Sequence, residues 1–158
     1  LKIIAELSKK ILHFKFLWVG TGELEDDIKR IVIESKLTDK VIFTGSVPNA
    51  NEMYQAMDVF IFPSLWEGLG NVAIEAQAAG LPTLCSEAVP NDAKVSDTIY
   101  YLPLHDTQKW CELITFQIQQ QNLENRKNAY KQVANNGYDI RNVTSNLERF
   151  YLKKSEIN

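Results

Sequence analysis

Residues 58 to 85 restrict the fold of this chain more than any other stretch. Asp58-Val-Phe-Ile-Phe62 is a short aromatic and β-branched run that reads as a buried strand, and Thr83-Leu-Cys85 reads as the next one. Between them Gly68 and Gly70 permit a tight turn, Asn71 is a good N-cap, and Val72 to Ala79 is a compact apolar helix ended by Gly80 and Pro82. Strand, glycine turn, helix and strand make a unit whose helix N-terminus faces the ligand side of a parallel sheet.

The flanking sequence repeats the alternation. Leu1 to Leu12 carries Ile3, Ile4, Leu7, Ile11 and Leu12 between lysines, the pattern of an amphipathic helix. Lys15 to Val19 is a strand, Gly20-Thr-Gly22 a glycine turn opening a helix from Glu23 to Lys36, and Val41 to Gly45 a third strand. A loop with Pro48 leads to a helix from Asn51 to Met57, whose Glu52, Met53, Tyr54 and Met57 read as a packing face. A strand over Thr98 to Leu102 follows the central unit, and Asp106 caps a helix from Thr107 to about Gln121. Gln117 to Gln121 reads as a solvated helix end. Leu123 to Ala134 is a helix broken at Asn135-Asn-Gly137, and Ile140 to Lys154 is a last helix with Val143, Leu147, Phe150 and Tyr151 on one face. The order predicts a single α/β domain: a Rossmann-like parallel sheet flanked by helices, a helical C-terminus, and a binding crevice at the carboxyl ends of the strands.

Charge narrows the function. A net charge of −3 argues against a nucleic-acid partner, which needs a basic stripe to neutralise phosphates. No long apolar run or cleavable leader is visible, so no transmembrane segment is expected. From Val41 to Ala93 there is no Lys or Arg, while Glu67 and Glu75 are the charged side chains between Asp58 and Glu87. Glu75 stands alone on an apolar helix, where an ionised group is costly unless donors meet it. A ribose cis-diol offers two such donors; the competing reading is a basic partner from elsewhere, or solvent. Any anion bound in the segment must be met by backbone amides and the helix dipole. Gly20 and Gly22 fit a phosphate-cradling turn and equally a merely tight one. Cys85 and Cys111 have no His or Cys at metal-ligand spacing and read as reduced packing residues; His13 and His105 are isolated.

Pro-Ser-x-x-Glu67-Gly-x-Gly-x-x-x-x-Glu75-Ala, with Glu75-Ala-Gln-Ala-Ala-Gly-Leu-Pro82 and the Asp58 to Ser64 lead-in, closely resembles the hallmark motif of the family 4 retaining GT-B glycosyltransferases, and is similar to bacterial capsule and exopolysaccharide members. The resemblance implies the donor-binding, C-terminal domain of a hexosyltransferase-type enzyme of polysaccharide biosynthesis, whose partner is a nucleotide-diphosphate sugar. In it Glu75 would hold the ribose hydroxyls, and Glu67, the catalytic candidate, would hold the donor sugar. The amides of Gly68, Leu69, Gly70 and Asn71 would bind sugar and phosphate oxygens. Gly20 and Gly22 would line the donor cleft, and the backbone at Gly45 and Val47 would lie near the nucleobase. Trp66 either lines the cleft or packs under the loop.

The family carries an Arg and a Lys for the diphosphate just ahead of the helix with which this chain begins. The chain is therefore expected to be an inactive fragment lacking the N-terminal acceptor domain. That domain would hold the acceptor-side residues, receive the stripe on the last helix, and carry any peripheral association with the membrane. The expected location is cytoplasmic, at the inner face of the membrane. No cofactor is expected, and no Asp-x-Asp element suggests a metal. Glu67 as a nucleophile in double displacement is disfavoured against front-face chemistry assisted by the leaving phosphate. The alternatives are a non-catalytic nucleotide-binding module and a dinucleotide oxidoreductase domain, the latter opposed by the missing third glycine after Gly20-x-Gly22.

Overall fold

The computed structural model describes residues 1–120 and 126–155. Helix α1 (Lys2–Lys10) leads to β1 (Phe16–Val19), α2 (Glu25–Glu34), β2 (Val41–Gly45), α3 (Ala50–Gln55), β3 (Phe60–Phe62), α4 (Asn71–Ala78) and β4 (Thr83–Ser86). A 3₁₀ turn (Asn91–Ala93), β5 (Ile99–Leu102) and α5 (Thr107–Gln119) follow. Helix α6 (Ala129–Val133), a wide π turn (Ala134–Tyr138) and α7 (Ile140–Ser155) close the chain. The expected start of the penultimate helix at Leu123 lies outside the described residues, as does Gln121. Its break falls where expected, since Asn136 and Gly137 leave helical geometry. Among the described residues no helix is long and apolar enough to cross a membrane.

Among the described residues the strands pair in parallel, as the alternation requires, apart from a lone antiparallel bridge between Gly20 and Gly45, but the hydrogen-bonded ladder is divided into β1–β2 and β3–β4–β5. Ile61 of β3 joins the two parts by packing into the apolar clusters on either side. Strand β4 is buried along its whole length, the condition of a parallel strand covered on both faces. Side chains alternate across such a strand. Leu84 therefore packs with Ile3 and Leu7 of α1 and Trp110, Cys111 and Ile114 of α5, while Cys85 packs with Ala73 and Ile74 of α4 and with Val133 of α6.

The helices explain their own ends. Asp106 accepts a hydrogen bond from the Lys109 amide at 3.0 Å, so the predicted cap of α5 is present. Along α5, Trp110, Cys111, Ile114 and Gln117 share one face, which places Gln117 in the interior at 8% exposure rather than in solvent as expected. Helix α2 starts at Glu25, two residues later than predicted, and three acids, Glu25, Asp26 and Asp27, fill its first turn. Ile140, Leu147, Phe150 and Tyr151 of α7 are exposed.

A second buried glutamine organises the region below the site. Gln77, fully buried on α4, donates to the carbonyls of Ala73 at 2.9 Å and Ala93 at 2.8 Å. Its amide oxygen accepts from the Val95 and Ser96 amides and from the Ser96 hydroxyl at 3.0 to 3.1 Å. The loop between β4 and β5 is thereby tied to α4.

Candidate donor-binding site

The site is assembled at the carboxyl end of β3 and the amino end of α4. After Phe62 the chain leaves the sheet at Pro63, and Ser86, the last residue of β4, donates its hydroxyl to the Ser64 carbonyl, fixing the start of the loop. The N-cap of α4 is Gly70, with Asn71 already inside the helix, which corrects the expected cap. The reason is conformational: Gly70 sits in the left-handed region at φ +83, where a Cβ would also meet Val89 Cγ1 at 3.2 Å. A glycine cap brings no side chain to the first-turn amides, and no acid lies in that turn. The positive end of α4 therefore carries neither a side-chain cap nor an acid, although the Ala73 amide donates to the Gly70 carbonyl at 2.9 Å.

Glu67 lies in the loop three residues before the Gly70 cap and Glu75 in the second turn of α4, and neither is turned into the interior: Glu75 is exposed and Glu67 half-buried. Each has one carboxylate oxygen held by a neighbouring hydroxyl. Ser64 donates to Glu67 Oε1 at 2.8 Å, its oxygen also lying 3.1 Å from the Trp66 carbonyl. Tyr54 donates to Glu75 Oε2 at 2.9 Å. Among the described residues no cation pairs with either acid; of the two competing readings of Glu75, the basic partner is absent and the exposure to solvent is present. Among the described residues the second oxygen of each carboxylate accepts no hydrogen bond. Gly68 is exposed, and Leu69 packs half-buried against the α4 cluster, which aims its side chain inward. Trp66 is 82% exposed, so it does not pack under the loop.

Gly20 and Gly45 meet at the ends of β1 and β2: the Gly20 amide donates to the Gly45 carbonyl at 2.9 Å, and both have positive φ. Val47 is half-buried just beyond. Gly22 forms a turn with Glu25 instead of opening the helix directly. The acids in the first turn of α2 repel an anion there, whereas the first turn of α4 has none, so of these two helices α4 has the amino end more favourable to negative charge.

Sequence reasoning missed three residues. Tyr54 was visible only as a packing position, and Ser64 lay unassigned inside the motif. Arg126 donates to the carbonyls of Ala79 at 3.2 Å, Met57 at 2.9 Å and Tyr54 at 2.9 Å, clamping the C-terminal ends of α3 and α4 together. Nothing in the sequence singled it out, since Lys94 and Lys109 both stand between the cation-free stretch and Arg126. His13 lines a shallow hollow with Leu12, Phe14, Lys15, Asp39 and Lys40. A second hollow lies beside Arg126, lined by Gln55, Ala78, Ala79, Lys127 and Tyr130. Neither is lined by Glu67 or Glu75. Cys85 and Cys111 are buried, and burial pushes the Cys85 thiol up to about 12. Among the described residues no cluster of His, Cys, Asp or Glu suited to a metal occurs.

A family model described as glycosyl transferases group 1 matches residues 1–119. The 2-deoxystreptamine glucosyltransferase of Streptomyces kanamyceticus is 42% identical over 81 residues, 50% of this chain and 21% of that protein. The UDP-Gal:alpha-D-GlcNAc-diphosphoundecaprenol alpha-1,3-galactosyltransferase of Escherichia coli is 35% identical over 83 residues, 52% of this chain and 21% of its own. Among solved structures, sucrose-phosphate synthase (tll1590) from Thermosynechococcus elongatus has a TM-score of 0.80 at 22% identity, covering 99% of this chain and 42% of that one. Anabaena Alr3699/HepE in complex with UDP has a TM-score of 0.78 at 16% identity, covering 96% and 44%. These structural likenesses establish the GT-B type of fold, and the chain spans less than half the length of each of these proteins. The family match sets aside the dinucleotide oxidoreductase. Spanning most of the sequence and the whole of the two-acid motif, it shows that this chain belongs to the group 1 glycosyl transferases.

Proposed function

We propose that the chain is the donor-binding part of a retaining glycosyltransferase of the hexosyltransferase type. It would hold a nucleotide-diphosphate sugar while a further domain, bearing the acceptor and the basic pair for the diphosphate, completes the enzyme. The observation that carries this reading is the pair of acids, Glu67 just ahead of the Gly70 cap and Glu75 in the second turn of α4, each with one oxygen held by a hydroxyl and, among the described residues, no partner for the other. On this reading Glu75 accepts the ribose diol. Glu67 accepts donor-sugar hydroxyls and fixes the anomeric carbon, while the amides of Gly68, Leu69, Gly70 and Asn71 meet the sugar and the diphosphate. As the glycosidic bond breaks, negative charge grows on the departing phosphate, where fixed amide dipoles stabilise it without reorganising. A front-face course gives Glu67 a binding role, with the phosphate oxygen taking the acceptor proton, and asks nothing of a metal.

The names of the relatives support a hexose and a uridine nucleotide, since one is a glucosyltransferase, one a UDP-Gal galactosyltransferase, and HepE is seen with UDP. Gly20, Gly22, Gly45 and Val47 would line the donor cleft on the nucleoside side. The exposed stripe on α7 suits contact with the acceptor-bearing domain. Calorimetric titration with UDP, GDP and their hexose conjugates tests the proposal. A uridine or guanosine nucleotide should bind the isolated chain weakly, without transfer, and Glu75→Ala should weaken it about tenfold. Unchanged affinity in Glu75→Ala would remove the ribose assignment.

A further inference from the structure

Tyr54 lies on α3 and is 5% exposed, yet its hydroxyl reaches the exposed Glu75 on α4. The ring is held by packing, edge-on to Phe60 with centroids 5.6 Å apart. Phenylalanine would fill that space equally well, so the oxygen is the part that needs explaining. It lies 2.9 Å from Glu75 Oε2 and 3.4 Å from the Val72 carbonyl. With a single proton to donate, the shorter and charge-assisted bond to Glu75 is the stronger one. Burial, reinforced by the Glu75 carboxylate, raises the phenol's pKa well above its ordinary value, so the donor keeps its proton across the physiological range.

The donor is rigidly placed because Arg126 bonds the backbone carbonyl of Tyr54 itself, together with that of Met57 at the end of α3 and Ala79 at the end of α4. The helix that gives the hydroxyl and the helix that bears the acid are pinned to one guanidinium. Among the described residues Glu75 Oε1 accepts no hydrogen bond.

We propose that Tyr54 is a positioning residue which fixes the Glu75 carboxylate by one oxygen so that the other is presented, preorganised, to a vicinal diol of the bound nucleoside. This rests on the ribose reading of Glu75 given above. A free glutamate on a surface helix samples several rotamers and must be ordered when a ligand arrives; one already held loses less on binding, and the gain appears as selectivity for ligands carrying the diol.

The test compares Tyr54→Phe, Glu75→Ala and the double variant of this chain by calorimetry with UDP and GDP and their 2′,3′-dideoxy counterparts. Tyr54→Phe should melt within about 3 °C of the parent, lose about fivefold in affinity for the ribose form that the parent binds, and change less than twofold towards the dideoxy form. In the Glu75→Ala background, Tyr54→Phe should add nothing to the loss. If Glu75→Ala lowers ribose selectivity and Tyr54→Phe does not, or if Tyr54→Phe weakens both forms alike or fails to fold, the positioning role is overturned while the ribose reading stands. If Glu75→Ala leaves selectivity unchanged, or the parent binds neither nucleotide, both fall.

Discussion

Replacing Gln77 with Met isolates how much of the fold depends on one polar network. Met matches the glutamine in length but neither donates nor accepts comparably. The Ala73 carbonyl keeps its helical partner in α4, and the Ser96 hydroxyl keeps Thr98 Oγ1 at 2.9 Å. Three groups lose the partner that Gln77 gave them: the Ala93 carbonyl and the Val95 and Ser96 amides, in residues no more than 5% exposed. Each orphaned group costs about 1 to 3 kcal/mol, so the loss is at least about 3 kcal/mol out of a total near 5 to 15. For a chain of this size that lowers the melting temperature by about 6 to 12 °C. Thermal melting by circular dichroism and urea titration both read it, the urea midpoint falling with the m-value unchanged. A shift under about 2 °C would refute the reasoning, since it would mean that the loop between β4 and β5 satisfies itself without α4.

Gly80→Ala places a Cβ 2.7 Å from Arg126 Cα at φ +73, and should cost about 2 to 4 kcal/mol. Gly137→Ala, at φ +97 with open space around it, should cost only about 1 kcal/mol; equal urea midpoints for the two would remove the close-approach argument. The Cys85 thiol has a folded pKa near 12, above its unfolded value, so its contribution is fully present below about pH 8.5 and is lost as pH rises towards 12. Tyr54, also raised, acts in the same direction at higher pH. Urea midpoints should therefore fall from pH 8 to pH 11, less steeply in Cys85→Ala, and a flat profile would contradict the burial. Glu67→Ala should leave affinity for free nucleotide within twofold while reducing that for the nucleotide sugar at least tenfold; equal losses for both would show that Glu67 does not face the sugar.

The alternation of β-branched runs and amphipathic helices made the parallel α/β order legible, because burial on both faces of a strand such as β4 demands continuous apolar sequence. The two acids were legible from their isolation on apolar ground. What could not be read were features set by tertiary contact. Asn71 is the better cap by composition, but the chain needs a left-handed residue one position earlier, and Gly70 supplies it. Gln117 looked solvated within a glutamine run, and helical phase turned it inward beside Ile114. The Tyr54 hydroxyl meets an acid 21 residues away, and Arg126 meets a carbonyl 72 residues away. No local pattern announces pairs so distant in sequence.

The Arg126 clamp bears on how this polypeptide can be dissected. The family match stops at residue 119, so a boundary drawn from it would discard Arg126, Val133 and Asn136, whose side-chain amide holds the Val95 carbonyl at 2.8 Å. A protein trimmed there would expose the apolar flank of α4 and free the far ends of two helices. The contacts of Arg126, Val133 and Asn136 thus carry the structural unit past residue 119, beyond the end of the family model's match and within the span over which the solved structures align.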